Sequence, residues 1–147
     1  MGSELPSQAL QAIPEVLRET VETGWNSLMA LEDADWQAWF SERAEQLVEA
    51  LARSDFLQEQ LVRHPDVLVP LRDDGLLDQP WCPGEMREAW SHQSPHIETE
   101  DHLNAALRHF RRRWMFRIVW RDLLNLADFE ETAGAMSELA DVCIQGA

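Results

Sequence analysis

The sequence contains no lysine and no tyrosine, and it has only two cysteines in 147 residues. All twelve basic residues are therefore arginine; they stand against 27 acidic residues, and the formal net charge is −15 at pH 7. A chain this acidic repels nucleic-acid phosphates and anionic lipid, so we expect neither nucleic acid nor a membrane as a partner. No apolar run reaches the roughly 18 to 20 residues of a membrane span, and no signal peptide opens the sequence. These absences predict a cytoplasmic location.

The composition and the cysteine positions predict a folded domain without disulfides. Apolar residues make up 45% of the chain, which is too high a fraction for a disordered protein. The length suits one domain over residues 1–147. Cys82 and Cys143 lie 61 positions apart, with neither a C-x-x-C motif nor the Cys/His spacing of a zinc site. One disulfide is compatible with this spacing, but a reduced pair is typical of the expected compartment.

Helical signals run along the whole chain, and no stretch alternates as a strand does. Apolar residues recur at spacings of three and four, and capping residues precede several of these runs. The sequence predicts an all-α bundle of about five or six helices, with an irregular segment at residues 73–98 that is rich in proline and turn residues. We expect the main helices at residues 15–31, 36–51, 54–64, 99–126 and from 128 onward, with one or two turns at 66–71 and a short helix at 83–90.

The longest predicted helix carries six arginines and no acid between residues 108 and 121. Its apolar residues fall on two different sides, which is typical of a helix packed between neighbours, so we expect it to be the central helix. Three arginines follow one another at steps of four between the two apolar sides, and the other three occupy a separate sector. The first set is Arg113, Arg117 and Arg121, and the second is Arg108, Arg111 and Arg112.

These arginines have three possible roles. Guanidinium groups grip phosphate in bidentate fashion, which favours a nucleotide or nucleic-acid site. Partly buried arginines also pair with acids of adjacent helices while their stems cover apolar surface, and every flanking helix has acids to spare. The third role is pairing with a partner protein or a further domain. The acidic surroundings favour the structural role over the phosphate site.

No set of residues forms a catalytic or metal-binding constellation. Asp33 and Asp35 have the D-x-D spacing that holds Mg²⁺, but they directly precede a helix, where aspartates serve as caps. His92 and His96 are separated by a proline, and adding His102 does not complete a metal site. There is no glycine-rich phosphate loop and no oriented nucleophile. We therefore expect no catalytic, cofactor-binding or metal residue in this chain.

Residues 107–124 read LRHFRRRWMFRIVWRDLL. This pattern resembles the segment before the first nucleotidyltransferase core of bacterial glutamine synthetase adenylyltransferases, the bifunctional adenylyltransferase/adenylyl-removing enzymes. Two further stretches are similar to the family: RSDF at residues 53–56 with HPDVL at 64–68, and residues 126–144, which end in LADVCI. The resemblance covers residues 50–147, about two thirds of the chain.

The resemblance implies an enzyme that moves AMP between ATP and a tyrosine of glutamine synthetase, with Mg²⁺ and ATP as cofactors of the full-length protein. Removal is then phosphorolytic, and a PII-type signalling protein and glutamine control the balance. Family catalysis rests on a G-S-D-L-D type motif, which this sequence lacks, so no catalytic residue carries over. We expect a fragment: the N-terminal helical part of the adenylyl-removing half, which supports the nucleotidyltransferase core that follows in cis.

Within such an enzyme, we expect Arg113, Arg117, Arg121 and Trp120 to form an inter-helix or inter-domain scaffold. Glutamine synthetase and the PII-type protein are then partners of the full-length enzyme. The alternative from a different class is a stand-alone acidic helical adaptor that binds a basic protein. Nucleotide binding by the arginine helix itself is a third hypothesis.

Overall fold

The computed structural model describes residues 4–147, and within this range it contains helices and connecting segments but no strand. The predicted all-α fold is confirmed. The described residues form nine α-helices and one 3-10 turn, Ser94–His96. The α-helices are α1 (Ser7–Gln11), α2 (Glu15–Met29), α3 (Ala34–Glu42), α4 (Ala44–Arg53), α5 (Asp55–Arg63), α6 (Pro65–Asp73), α7 (Glu85–Gln93), α8 (Glu100–Leu123) and α9 (Phe129–Gly146).

The helices outnumber the five or six expected, partly because the predicted helix over residues 36–51 is broken in two. The break lies at Arg43, whose backbone leaves helical geometry at φ −118° and ψ 27°. No glycine or proline stands there to signal it. The Arg43 guanidinium lies 5.2 Å from the centre of the Trp39 ring and also donates to the side chain of Gln46.

Four helix starts predicted from the sequence are confirmed by their caps. In each case a side-chain oxygen accepts a hydrogen bond from the backbone N–H three residues later, which satisfies a donor that the helix leaves free. The capping residues are Asp33, Ser54, Thr99 and Asp128. The sequence predicts Asp66 as the cap of the helix over 66–71, but this is wrong: α6 begins one residue earlier, at Pro65, and Asp66 lies in its first turn. Proline suits that first position because its ring presets the helical φ.

The chain divides into two compact units, the first ending at Pro65 and the second comprising Asp66–Ala147. The single-domain expectation for residues 1–147, of which 1–3 lie outside the described part, stays a prediction. Within residues 4–147, none of the helices combines the length and apolar character that a membrane span requires.

In the first unit, α2 packs against α4 and α5. Gly24 marks the closest approach, because a Cβ atom there would lie 3.0 Å from a methyl of Leu51 and 2.9 Å from the side-chain oxygen of Gln58. Three aromatic rings of α3, belonging to Trp36, Trp39 and Phe40, contact one another at centroid distances of 5.4 to 5.9 Å.

In the second unit, α8 and α9 run antiparallel. The start of α9 meets the end of α8 through a hydrogen bond from Thr132 to Asp122, and Gly146 lies against Leu107. The helix α7 packs on α9. Their shared apolar core consists of Met86, Phe110, Trp114, Ile118, Ala135, Leu139 and Val142.

The predicted irregular segment at 73–98 contains turns followed by α7 and the 3-10 turn. We call residues 74–84 the connecting segment. Gly75 and Gly84 have positive φ of 65° and 88°, which glycine adopts without steric cost. The expected short helix is present as α7, which begins at Glu85 rather than at residue 83.

The contact between Trp81 and Gly134 yields the first testable prediction. A Cβ atom on Gly134 would lie 2.7 Å from the Trp81 ring, and that rigid ring is held by a hydrogen bond to Glu138. Gly134→Ala is therefore expected to destabilise the protein by about 1–2 kcal/mol, although alanine is the better helix former. Urea unfolding measures the difference.

The control is the same substitution in a Trp81→Ala background, where the space is open. There Gly134→Ala is expected to stabilise, by up to about 1 kcal/mol. Equal effects of Gly134→Ala in both backgrounds contradict the contact.

Candidate functional site

Three arginines of α8 form a row along one side of the helix, because residues four apart lie one turn above one another. We call Arg113, Arg117 and Arg121 the inner arginine row. Arg117 and Arg121 are only 1% and 4% exposed. Buried guanidinium groups are costly unless hydrogen bonds satisfy them, so their partners determine what the row does.

Arg117 binds the connecting segment. Its Nε donates to the carbonyl of Leu76 at 2.8 Å, and Nη2 donates to those of Gln79 and Pro80 at 2.9 and 3.3 Å. Nη1 lies 2.9 Å from a carboxylate oxygen of Glu85 as an ion pair outside hydrogen-bonding geometry. The guanidinium also lies 5.3 Å from the centre of the Trp114 ring, which adds a cation–π attraction.

Arg121 joins α8 to both segments beside it. Its Nε and Nη2 donate to the two carboxylate oxygens of Glu131 at 2.8 and 3.2 Å, a bidentate pair. Nη1 donates to the carbonyl of Leu77 at 3.0 Å, and Nη2 to that of Leu126 at 2.9 Å. One side chain thus fixes the connecting segment, the turn after α8 and the first turn of α9.

Arg113 lies one turn before Arg117 on α8 and also donates to a backbone carbonyl. Its Nε donates to the carbonyl of Val67, in α6, at 2.8 Å. Burial lowers the pKa of this guanidinium from its usual value, because desolvation disfavours the charged form. The group nevertheless stays charged in any ordinary buffer.

The partners of the row differ from those expected. The sequence predicts acids of adjacent helices as partners, but only Glu85 and Glu131 serve in this way. Backbone carbonyls accept most of the hydrogen bonds instead. A cavity beside Arg117 and Arg121 has a volume of about 10 Å³, which is room for about one water and far below the size of a nucleotide site.

Trp120, the fourth predicted scaffold residue, is fully buried. Its ring stacks on Phe116 with centroids 5.9 Å apart and planes at 19°. It therefore packs on the side of α8 that carries Phe116, whereas Trp114 and Ile118 belong to the core shared with α9.

The remaining arginines of α8 point away from the inner row. Arg108 and Arg111 are exposed and Arg112 is half-buried. Within residues 4–147, no carboxylate lies within ion-pair distance of any of the three. Arg117 and Arg121 are thus buried and Arg108 and Arg111 exposed, while Arg112 and Arg113, one from each set, are both half-buried.

Sequence reasoning missed a second buried polar contact. Glu138 is 6% exposed; it accepts a hydrogen bond of 2.7 Å from the indole N–H of Trp81 and one of 3.5 Å from the backbone of Arg87. The position of Glu138 in the sequence could have indicated this contact, because Glu138 shares a face of α9 with the core residues Ala135 and Val142. An acid on the apolar face of a helix indicates a specific partner.

The candidate metal residues occupy ordinary structural positions. Asp33 caps α3 through the N–H of Trp36, and Asp35 follows in the first turn of that helix. His92, His96 and His102 are all exposed. In the described part of the chain, no three His, Cys, Asp or Glu side chains are grouped as metal ligands.

Both cysteines are free thiols. Cys82 is exposed, and Cys143 is half-buried on α9. Burial raises the pKa of the Cys143 thiol, and the nearby positive charge of Arg111 offsets part of that increase.

Comparison with known proteins gives a consistent result. The family model for glutamate-ammonia ligase adenylyltransferase matches residues 44–147. A bifunctional glutamine synthetase adenylyltransferase/adenylyl-removing enzyme of Pseudomonas aeruginosa is 42% identical over 74% of the chain, and one of Pseudomonas syringae is 37% identical over 86%. A third, from Thioalkalivibrio sulfidiphilus, is 34% identical over the whole chain. The chain spans only 11–15% of the length of these relatives. No solved structure matches significantly.

The arginine contacts generate the second prediction. Arg117→Met keeps the apolar stem but leaves Glu85 without its ion-pair partner and three carbonyls without their donor, so we expect a loss of about 2–4 kcal/mol in the free energy of unfolding. Arg117→Lys keeps the charge without the planar fork and is expected to recover less than half of that loss. Urea unfolding at pH 7 measures both.

Arg108→Met is the matched control, because it changes the same residue type on the exposed side of the same helix. Its expected effect is within about 0.5 kcal/mol. If Arg108→Met costs as much as Arg117→Met, the inner row has no special structural role.

The third prediction concerns the two thiols. Because its pKa is raised, Cys143 has a smaller thiolate fraction at pH 8 than an ordinary cysteine, and it is also less exposed than Cys82. Iodoacetamide is therefore expected to alkylate Cys143 more slowly than Cys82. Mass spectrometry of the peptides over time gives both rates. In 6 M guanidinium chloride, which unfolds the chain, the two rates should become similar. If the difference persists there, the folded structure is not its cause.

Proposed function

Because the chain belongs to the glutamate-ammonia ligase adenylyltransferase family, we propose that it is a non-catalytic helical support of such an enzyme, in the adenylyl-removing half. The observation that carries this proposal is the inner arginine row. Most N–H groups of the Arg117 and Arg121 guanidiniums contact carbonyls of the connecting segment, the carbonyl of Leu126 or the adjoining acids Glu85 and Glu131. A row committed to its own fold supports a structural role.

The same geometry argues against nucleotide binding by this helix. A phosphate site needs guanidinium donors that face an open pocket. Arg117 and Arg121 are almost fully buried, and the cavity that they line holds about one water. The exposed Arg108 and Arg111 lie on a surface of a strongly acidic chain, which weakens the attraction of phosphate from a distance.

Mg²⁺ and ATP, the cofactors that the family implies, do not fit the residues of this chain. Within residues 4–147 no three potential ligand side chains are grouped, and the D-x-D aspartate Asp33 is engaged as a helix cap. We assign both cofactors to the longer enzyme, and no step of its chemistry to this segment. By the same proposal, glutamine synthetase and a PII-type protein are partners of the longer, cytoplasmic enzyme.

The fourth prediction tests this proposal directly. The isolated chain is expected neither to add AMP to glutamine synthetase with Mg²⁺ and ATP nor to remove it with phosphate. The added mass of AMP on glutamine synthetase gives the readout, and the Pseudomonas aeruginosa enzyme is the positive control. Detectable addition or removal of AMP by the isolated chain contradicts the proposal.

A chimaera tests the role in the longer enzyme. In it, this chain replaces the matching segment of the Pseudomonas aeruginosa enzyme. Deleting that segment is expected to abolish removal of AMP while addition persists, and the chimaera is expected to restore removal. Loss of addition alone would assign the segment to the other half, and no loss of either activity would favour the stand-alone adaptor.

Nucleotide binding is tested by tryptophan fluorescence, because Trp114 lies beside Arg117. Titration of the isolated chain with millimolar ATP or AMP is expected to leave the emission unchanged after correction for absorbance. A saturable change that Arg117→Met abolishes, in a variant shown to be folded by circular dichroism, contradicts the structural role.

A further inference from the structure

The helix α9 has a second apolar face, which no part of the described chain covers. We call it the outer stripe. Phe129 is 84% exposed, Ile144 75% and Met136 42%. Spacings of three and four place the whole stripe on the side of α9 opposite the core residues. Its members are Phe129, Ala133, Met136, Ala140 and Ile144.

Such a line of exposed apolar residues differs from the ordinary surface. Single exposed apolar side chains, such as Val16 on α2 at 83%, are common and need no explanation. A continuous apolar line along the outer side of an amphipathic helix has the pattern of a helix that packs against a neighbour. The outer stripe is therefore the strongest candidate for an interface in this chain.

The size of the stripe indicates what kind of partner it binds. Fifteen steps from Phe129 to Ile144 span about 22 Å, and a stripe about 10 Å wide then has roughly 220 Å². A stable complex of separate proteins buries about 800 Å² on each partner, so the stripe alone is too small to hold a second copy of this chain. A segment tethered in the same polypeptide needs far less area, because its effective concentration reaches the millimolar range.

The charge around the stripe adds a second constraint. Asp128 and Glu130 flank Phe129 in the sequence, and Asp122 lies at the same end of α9 beside Thr132. Asp128 caps α9 and Asp122 accepts a hydrogen bond from Thr132, but in the described chain no arginine or histidine forms an ion pair with any of the three. A partner with a basic side chain at this end is favoured.

We propose that the outer stripe binds an amphipathic helix from another part of the same longer polypeptide. A basic residue of that helix lies over the Phe129 end of the stripe. The proposal rests on the proposed function, because it takes the chain as one segment of a longer enzyme. The relatives supply the polypeptide required: the chain matches only 11–15% of their length. The inner face of α9 then holds its own unit together, and the outer face attaches that unit to the rest of the enzyme.

Hydroxyl-radical footprinting compares the isolated chain with the chimaera described above. Labelling of Phe129, Met136 and Ile144 is expected to fall about fivefold or more in the chimaera, because burial removes radical access. Equal labelling in both overturns the proposal. Should the chimaera not fold, the remaining Pseudomonas aeruginosa polypeptide is added in trans at high concentration, with the same protection expected and the same contrary result.

Variants of the stripe test its contribution to stability. Phe129→Ser combined with Met136→Ser and Ile144→Ser is expected to leave the melting temperature of the isolated chain within about 2 °C, since these side chains are exposed there. In the chimaera the same triple variant is expected to lower the melting temperature by several degrees. Val16→Ser, which removes an equally exposed apolar side chain, is the matched control; a shift confined to the isolated chain contradicts the proposal.

The charge and the identity of the partner are tested separately. Glu130→Lys in the chimaera is expected to increase labelling of Phe129, whereas a decrease indicates an acidic partner and contradicts the basic one. Sedimentation velocity of the isolated chain is expected to show a monomer. A dimer that the triple variant abolishes makes a second copy the occupant and overturns the proposal.

These outcomes separate the two proposals. If the chimaera removes AMP but the outer stripe is still labelled, the proposed binding of a helix is refuted and the supporting role is not. An isolated chain that turns over glutamine synthetase refutes the supporting role whatever the labelling shows.

Discussion

The second unit depends on the hydrogen bonds between buried arginines and a segment without regular structure. The connecting segment has carbonyl groups that no helix of its own satisfies, and buried carbonyls without donors are costly. Arg117 and Arg121 supply those donors from one side of α8. Only arginine offers several donors in a planar fork, which gives a physical reason for the residue type at both positions. The same two side chains also bind Glu85 and Glu131, and so tie α7 and α9 to α8.

This arrangement determines how the charge of the chain is distributed. The inner arginine row lies inside the unit, so it contributes little positive potential at the surface, whereas most of the 27 acids remain outside. The outer arginines Arg108 and Arg111 are the exception on α8. The buried cations of this unit are thus committed to its own fold, and its last helix presents an uncovered apolar face.

The sequence predicted the helices well where the signal is local. Asp33, Ser54, Thr99 and Asp128 each cap the helix expected of them, because a cap acts on an N–H only three residues away. The break at Arg43 was missed, since no glycine or proline marks it in the sequence. The partners of the arginines were predicted only in part: acids were expected, but a carbonyl has no sequence signature. The pairing of Trp81 with Glu138 joins residues 57 positions apart, and local patterns do not report such contacts.

The sequence by itself determined the helical class, the caps, the two angular sectors of arginines on α8 and the lack of a nucleotidyltransferase motif. These properties depend on residue type and on spacing within a few turns, which the chain carries however it folds. The tertiary structure alone decided which arginines of α8 are buried, which carbonyls Arg117 and Arg121 satisfy, and which apolar residues of α9 stay uncovered. Packing against α7 and α8 distinguishes the core face of α9 from the outer stripe, because burial is a property of neighbours that are distant in the chain.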